Sequence, residues 1–592
     1  MMSTLGSLVP ASVCRRYAAV ALLLAGPLGC LGNLGDLDGT PAGGEGSSSS
    51  SGGDSGSSSG PGGGDTPIGE PPEMPHVIPE VSTCMQADNS TPGPRMVRRL
   101  SVQQFEATVR DLFRDPSVDL PSIFNDPHVL GFASDANALV IRDLTASQIM
   151  DWAESTADWA VTNKLSGITS VTCRTTDEAC RRQFITDFGR RAFREPLAED
   201  RVAAYDALFA AESSFEDGAK VVVGAMLQSP YFLYRREIGS PDPSNPALFN
   251  LGQHEIASGL SYLLTGSMPD DALLQAADQG QLSSPEQIDA QAQRLLQDPR
   301  AQEELMRFMR GWLQLNRLVT TVKDPALYDL PDALRQDMMN ESRALIMDVA
   351  FNPSMPGTFS DLLVANYTFL NGNLAQHYGI GGAGGTDFTR VDLSGGQRDK
   401  GILAHGSFLA GHAGSKLSSP TQRGKMIRTR LLCQPLEPPP PGVDPNIKIP
   451  ETPATTREMV ELHTQPGFCH SCHIDMDPIG LGFEHYDAIG RWRDQENGIA
   501  IDSSGEIVEP PSGENFVFDG VGPLADYLAA SEDVKDCMIR HWSYYAFGDT
   551  WNEDGCTYAA VRQEAEADNF ALKGVWLALT RAPHFTRRVQ DP

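Results

Sequence analysis

From about residue 100 onward, apolar residues recur every three to four positions, the spacing of helices that bury one face. Leu100-Ser101-x-x-Gln104-Phe105 is a capping box with a hydrophobic staple, and it predicts a helix through Val109, Leu112 and Phe113. Phe184, Phe188 and Phe193 predict a second helix that ends at Pro196, and Val202, Tyr205 and Phe209 a third. Ser284-Pro285 opens a helix whose stripe is Ile288, Ala292, Leu295 and Leu296. Asp298-Pro299 repeats that opening ahead of Leu305, Phe308, Met309, Trp312 and Leu313. These aromatic stripes read as core packing rather than as cofactor pockets. Strand character comes late. Ile499 and Ile501, the turn Asp502-Ser-Ser-Gly505, then Ile507 and Val508 predict one hairpin. The fold class is therefore mainly α, with a minor β-hairpin near the C-terminus, and Pro438–Pro441 forms a stiff polyproline spacer.

The N-terminus has a different pattern. Arg15 and Arg16 precede the apolar run Tyr17–Ala25, too short for a bilayer span of about 20 residues but suited to a secretory signal. It ends in Gly26-Pro27-Leu28-Gly29-Cys30, which resembles the lipobox of bacterial lipoproteins, where the cysteine takes the lipid. Pro27 stands where that pattern places Leu, so ordinary cleavage nearby is the alternative. Either route exports the chain. Residues 31–88, rich in Gly and Ser, cannot bury enough apolar surface to offset their ordering entropy and read as a disordered tether. No later segment is apolar enough to span a membrane.

A net charge of −31 argues against nucleic acid, whose phosphates need a basic face. The ten cysteines carry more information. Setting aside Cys14 and Cys30 in the leader, and Cys469 and Cys472, six remain: Cys84, Cys173, Cys180, Cys433, Cys537 and Cys556. An even remainder in an exported chain reads as disulfides. Short loops favour Cys173–Cys180 and Cys537–Cys556, with Cys84–Cys433 by elimination; buried free thiols are the alternative.

Cys469-His470-Ser471-Cys472-His473 is the one strong chemical motif. Two cysteines three apart can add to the two vinyl groups of haem, and His473 then lies beneath the iron as proximal ligand. With ten Cys and twelve His in 592 residues, chance gives about 0.003 such motifs per chain. Two other readings stay open: a Cys469–Cys472 disulfide, or zinc held by Cys469, Cys472 and one or two of His463, His470 and His473. Met476 lies only three residues past His473, so a helix keeps it on the proximal side, as wall packing. Distal candidates are His463, with His405 and His412 behind it. Arg491 and Arg493 suit haem propionates, or else pair with Glu484 or Asp487. There is no Walker loop, Rossmann fingerprint, nucleophile elbow or His-Glu-x-x-His helix.

The stretch 469–491 resembles a large bacterial family of exported proteins built as a string of domains of unknown function, numbered 1587, 1595, 1592, 1588 and 1585. Arg98–Phe113 is similar to the first, Arg190–Leu197 to the second, and Leu227–Arg235, Met268–Asp271 and Asn366–Asn371 to the third. Ser418–Gly424, the proline run and the motif are similar to the fourth, and the last hundred or so residues to the fifth. The resemblance implies an architecture with a cytochrome c-like motif and no established activity. The division expected is 1–30 signal peptide with lipobox, 31–88 tether, 89–165 and 166–240 helical domains, 241–392 central helical domain, 393–493 motif domain and 494–592 C-terminal domain. Two functional readings follow. One is a lipid-anchored envelope protein with covalent haem c, transferring electrons with a partner protein or oxidising a substrate. The other is a binding or structural lipoprotein whose motif is a disulfide or zinc clip.

Overall fold

The capping box at Ser101 forms as its sequence requires. Ser101 accepts from the Gln104 backbone N–H, the Gln104 side chain returns to the Ser101 backbone, and helix Val102–Phe113 follows. The structure, a computed structural model, describes residues 92–590 except 119, 121, 122, 124, 437–453, 465–472 and 549–554. Cys30, Cys84, Cys469, Cys472, the tether and the polyproline spacer lie outside the described residues.

The other helix signals hold equally well. Glu178–Phe193 buries Phe184, Phe188 and Phe193 and stops at a left-handed Arg194, just before Pro196. Ser284 caps Pro285–Leu295 with a second capping box, and Asp298 caps Pro299–Trp312. The chain is mainly α, and its strands form only two- and three-stranded sheets among the described residues. One buried cluster gathers side chains from Leu100 to Leu233 with Tyr262 and Met268, and a larger one runs from Leu130 to Phe585. The face of Phe308 stacks on Trp542 at 3.6 Å, which locks Pro299–Trp312 against Glu532–Phe547. Strand Arg587–Val589 pairs with Leu248–Asn250, so the C-terminal end is fastened to the middle of the chain. No described helix is long and apolar enough to cross a membrane.

Two expectations are corrected. The predicted hairpin arms do not pair with each other: Ile499–Ala500 returns onto Gln495–Glu496, and Ser504–Ile507 pairs with Phe516–Asp519. The reason is Asn497-Gly498, whose φ values of 54° and 82° make the tight turn that Asn-Gly favours, one stretch earlier than the Asp502–Gly505 signal. Cys173–Cys180 forms as expected, but Cys537 bonds Cys433 and not Cys556, which also removes the Cys84–Cys433 pairing. The short loop between Cys537 and Cys556 is outweighed by packing. The helix Glu532–Phe547 lies against the turn Ile427–Leu431 that precedes Cys433, and the Cys537 sulfur sits 3.3 Å from the Arg430 carbonyl. Cys556 is also disulfide-bonded.

Candidate metal centre

His473 stands one turn before helix Asp477–Leu481, which Pro478 opens in its first turn. The Met476 N–H donates to the His473 carbonyl, so the chain makes a tight turn that returns Asp477 beneath the imidazole. His473 Nδ1 lies 2.9 Å from Asp477 Oδ2, and Thr421 Oγ1 donates to the other carboxylate oxygen at 2.7 Å. A carboxylate only accepts, so Nδ1 carries the proton and Nε2 keeps its lone pair for a metal. The hydrogen bond to Asp477 raises the His473 pKa above its usual value. This seat depends on two glycines. A Cβ on Gly424 would fall 1.8 Å from the Met476 carbonyl oxygen, and one on Gly480 would fall 1.8 Å from that of Pro420. Helices Pro420–Met426 and Asp477–Leu481 therefore touch backbone to backbone.

A second histidine is delivered from another helix. Thr455 caps Thr456–His463 with a capping box, and Glu496 receives the Thr456 N–H at 2.5 Å and its hydroxyl at 2.9 Å. Glu496 is in turn held by Arg493 at 2.6 Å, and Arg493 also reaches Glu484 at 2.8 Å. This buried chain ties the helix that ends in His463 to the segment bearing the motif. The rings of His463 and His473 meet at 5.6 Å between centroids, inclined by 74°. Two imidazoles each about 2 Å from one ion bring their centroids to roughly 5–5.5 Å at a tetrahedral angle and to roughly 6.3 Å on opposite sides of the ion, so the present spacing is nearer the tetrahedral arrangement. As donor types, histidine nitrogens suit either haem iron or a zinc completed by thiolates.

The remaining candidates separate clearly. Met476 is buried, at 8% exposure. His405 is committed through Ser342 at 3.0 Å and Thr368 at 3.3 Å, and the Nδ1 of His412 through the Phe408 carbonyl at 3.0 Å. Both are core histidines. Arg491 pairs with Asp487 at 2.9 Å, and Arg493 is spent on the network above, so the carboxylate pairings prevail over the propionate role. Cys433, Cys537 and His541 also converge, with ligand atoms within 4.8 Å of one another, but the disulfide consumes both thiols.

Thr421, Asp477 and Arg423 carry weight that sequence reading did not assign. Arg423 is fully buried and donates to the carbonyls of Phe483, Tyr486, Leu409 and Asp487, gathering the loop after the motif around one guanidinium. Burial pushes its pKa down to about 10. A signal existed, since Thr421 and Arg423 lie within Ser418–Gly424 and Asp477 follows His473 by one helical turn.

Five families match along the chain, each described as a protein of unknown function: DUF1587 over 98–162, DUF1595 over 180–237, DUF1592 over 251–380, DUF1588 over 399–496 and DUF1585 over 514–585. The short name of the fourth, PSCyt3, marks a cytochrome-related family, and its match contains the motif, His463 and His473. No curated protein and no solved structure matches the chain. In order and in content, the chain carries the five-domain string of this cytochrome c-related family of unknown function.

Proposed function

We propose that the chain is an exported, lipid-anchored c-type haem protein with a redox role. The observation that carries this reading is the seat of His473. Asp477 accepts its Nδ1–H, Thr421 steadies Asp477, and Nε2 is left as the ligand atom directly after Cys469-x-x-Cys472. Haem held there through Cys469 and Cys472 supplies one-electron chemistry. His463 is the candidate second protein ligand to that iron, and two histidine ligands would favour electron transfer with a partner protein over oxidation of a bound substrate. Cys30 provides the anchor, and its acyl chains hold the protein to the membrane through the Gly/Ser tether.

The test is expression with cytochrome c maturation machinery, read by Soret absorbance and a mass increase of one haem. Colour that survives acid-acetone extraction, lost in Cys469→Ala/Cys472→Ala, is the expected result. A colourless wild type overturns the haem reading. The His463–His473 contact also suits zinc, so stoichiometric zinc in colourless protein would favour the clip. Cys30→Ser should move the protein from the membrane to the soluble fraction, and unchanged fractionation overturns the anchor.

A further inference from the structure

Away from the motif, a cavity of about 280 Å³ is lined by residues from four of the five matched domains. Arg98 and Arg99 come from the first, Arg235 from the second, Tyr262, Glu304 and Arg307 from the third, and Tyr545 from the last. Strand Met96–Arg99 runs antiparallel to Tyr234–Glu237 with Arg98 directly opposite Arg235. Opposed residues share a face of the sheet, and like charges so placed repel. Both are buried, at 3% and 7% exposure, where the repulsion is least screened.

Among the described residues they are only partly neutralised. Glu237 stands 3.5 Å from each, yet its carboxylate is shared with Arg588. Asp126 pairs with Arg99 at 2.6 Å, and Glu304 with Arg307 while accepting the Tyr545 hydroxyl. Among the described residues, three buried guanidinium groups, those of Arg98, Arg235 and Arg588, thus share the single carboxylate of Glu237, a local excess of positive charge in a chain whose net charge is −31. Arg98 spends its terminal nitrogens on the carbonyls of Ser134 at 2.6 Å and Phe547 at 2.7 Å. Arg235 does not: among the described residues its one hydrogen bond, to Glu237, is 3.5 Å long, and its buried Nε has no hydrogen-bond partner. Uncompensated buried charge of this kind is costly unless a counter-charge arrives. The rings of Phe132, Tyr262 and Tyr545 on the same walls suit a carbon body more than a bare ion.

We propose that this cavity is a binding site for a small organic dianion, its charge carried by carboxylate or phosphate oxygens, with Arg235 as the principal contact. The site does not depend on what the cysteine motif holds. Titration calorimetry on the full mature chain, with succinate and phenyl phosphate as probes and succinamide as the neutral control, tests it. At least one anion should bind saturably and succinamide should not. Arg235→Gln should weaken the better probe about tenfold or more, since a charge-assisted contact is lost. Asp126→Asn, which removes a negative charge while keeping an oxygen for the Val102 N–H, should tighten it instead. Opposite signs in the two variants separate electrostatics from simple damage to the fold. The proposal is overturned if neither anion binds, if succinamide binds as well, or if both variants shift affinity in the same direction.

Discussion

At the scale of single residues, Asp477 has the most to answer for. It is 4% exposed and bound on both oxygens, by His473 and by Thr421, so it fixes both the tautomer and the tilt of the imidazole. Asp477→Asn keeps the shape, but the amide has a single acceptor oxygen where the carboxylate has two. The oxygen can still accept the His473 Nδ1–H while the amide donates to Thr421 Oγ1, but the negative charge that raises the basicity of the imidazole is gone, and an outer-shell change of this kind typically costs about 10–100-fold in metal affinity. Thioether attachment rests on Cys469 and Cys472, so the haem should remain while its ferric spectrum shifts in spin state. In zinc-loaded protein the same variant should weaken binding instead. A ferric spectrum identical to wild type would mean that Asp477 is an ordinary helix-start carboxylate. The spacing is a weak signal of this partnership: Asp four residues after His is common, and only the turn at Met476 makes it a contact.

Among the elements, local signals were legible and pairings between distant segments were not. Capping boxes at Ser101 and Ser284 are read from four residues, because the side chain and the backbone it satisfies lie within one turn. The short sheets are different. Met96–Arg99 and Tyr234–Glu237 are each only four residues, rich in arginine, and far apart in sequence, so no alternation of apolar residues betrays them. Cys433–Cys537 was hidden for the same reason, since it depends on how two distant elements pack. One very close backbone contact is also the one the site depends on. Gly480→Ala would place a methyl 1.8 Å from the Pro420 oxygen, and only movement of a helix can relieve that. Overpacking of this sort costs about 1–3 kcal/mol, and here the strain falls on the seat of His473. The variant should unfold at lower urea and should also lose Soret intensity per mole of protein while helical circular dichroism persists. Full haem content at wild-type stability would show that the two helices part without consequence.

Over the whole molecule, the buried histidines set a response to acid. Burial lowers His412 to about 3, helped by Arg317 and Arg423, and holds His541 and His584 well below the ordinary value. The folded chain therefore keeps these rings neutral at a pH where the unfolded chain, with histidine near 6.5, takes up protons. Stability is full above about pH 6.5 and is lost as pH falls below it, by up to about 1.4 kcal/mol per unit for each ring. Glu304 and Glu484 act with the opposite sign, because burial raises their pKa and the folded state binds those protons more readily than the unfolded one. The net slope mixes both, so a difference between variants is the clean measurement. His412 donates from Nδ1 to the Phe408 carbonyl, and its buried Nε2 has no hydrogen-bond partner among the described residues, so leucine removes a titrating group at modest cost in packing. Between pH 7 and 5.5, wild type should lose roughly 1.3 kcal/mol more than His412→Leu in urea unfolding, the share of one ring with a folded pKa far below 5.5. Equal losses in the two proteins would mean that His412 is protonated in the fold as easily as in the unfolded chain. A water or an ion would then have to reach Nε2, and the core around Phe408 would be wetter than its packing indicates.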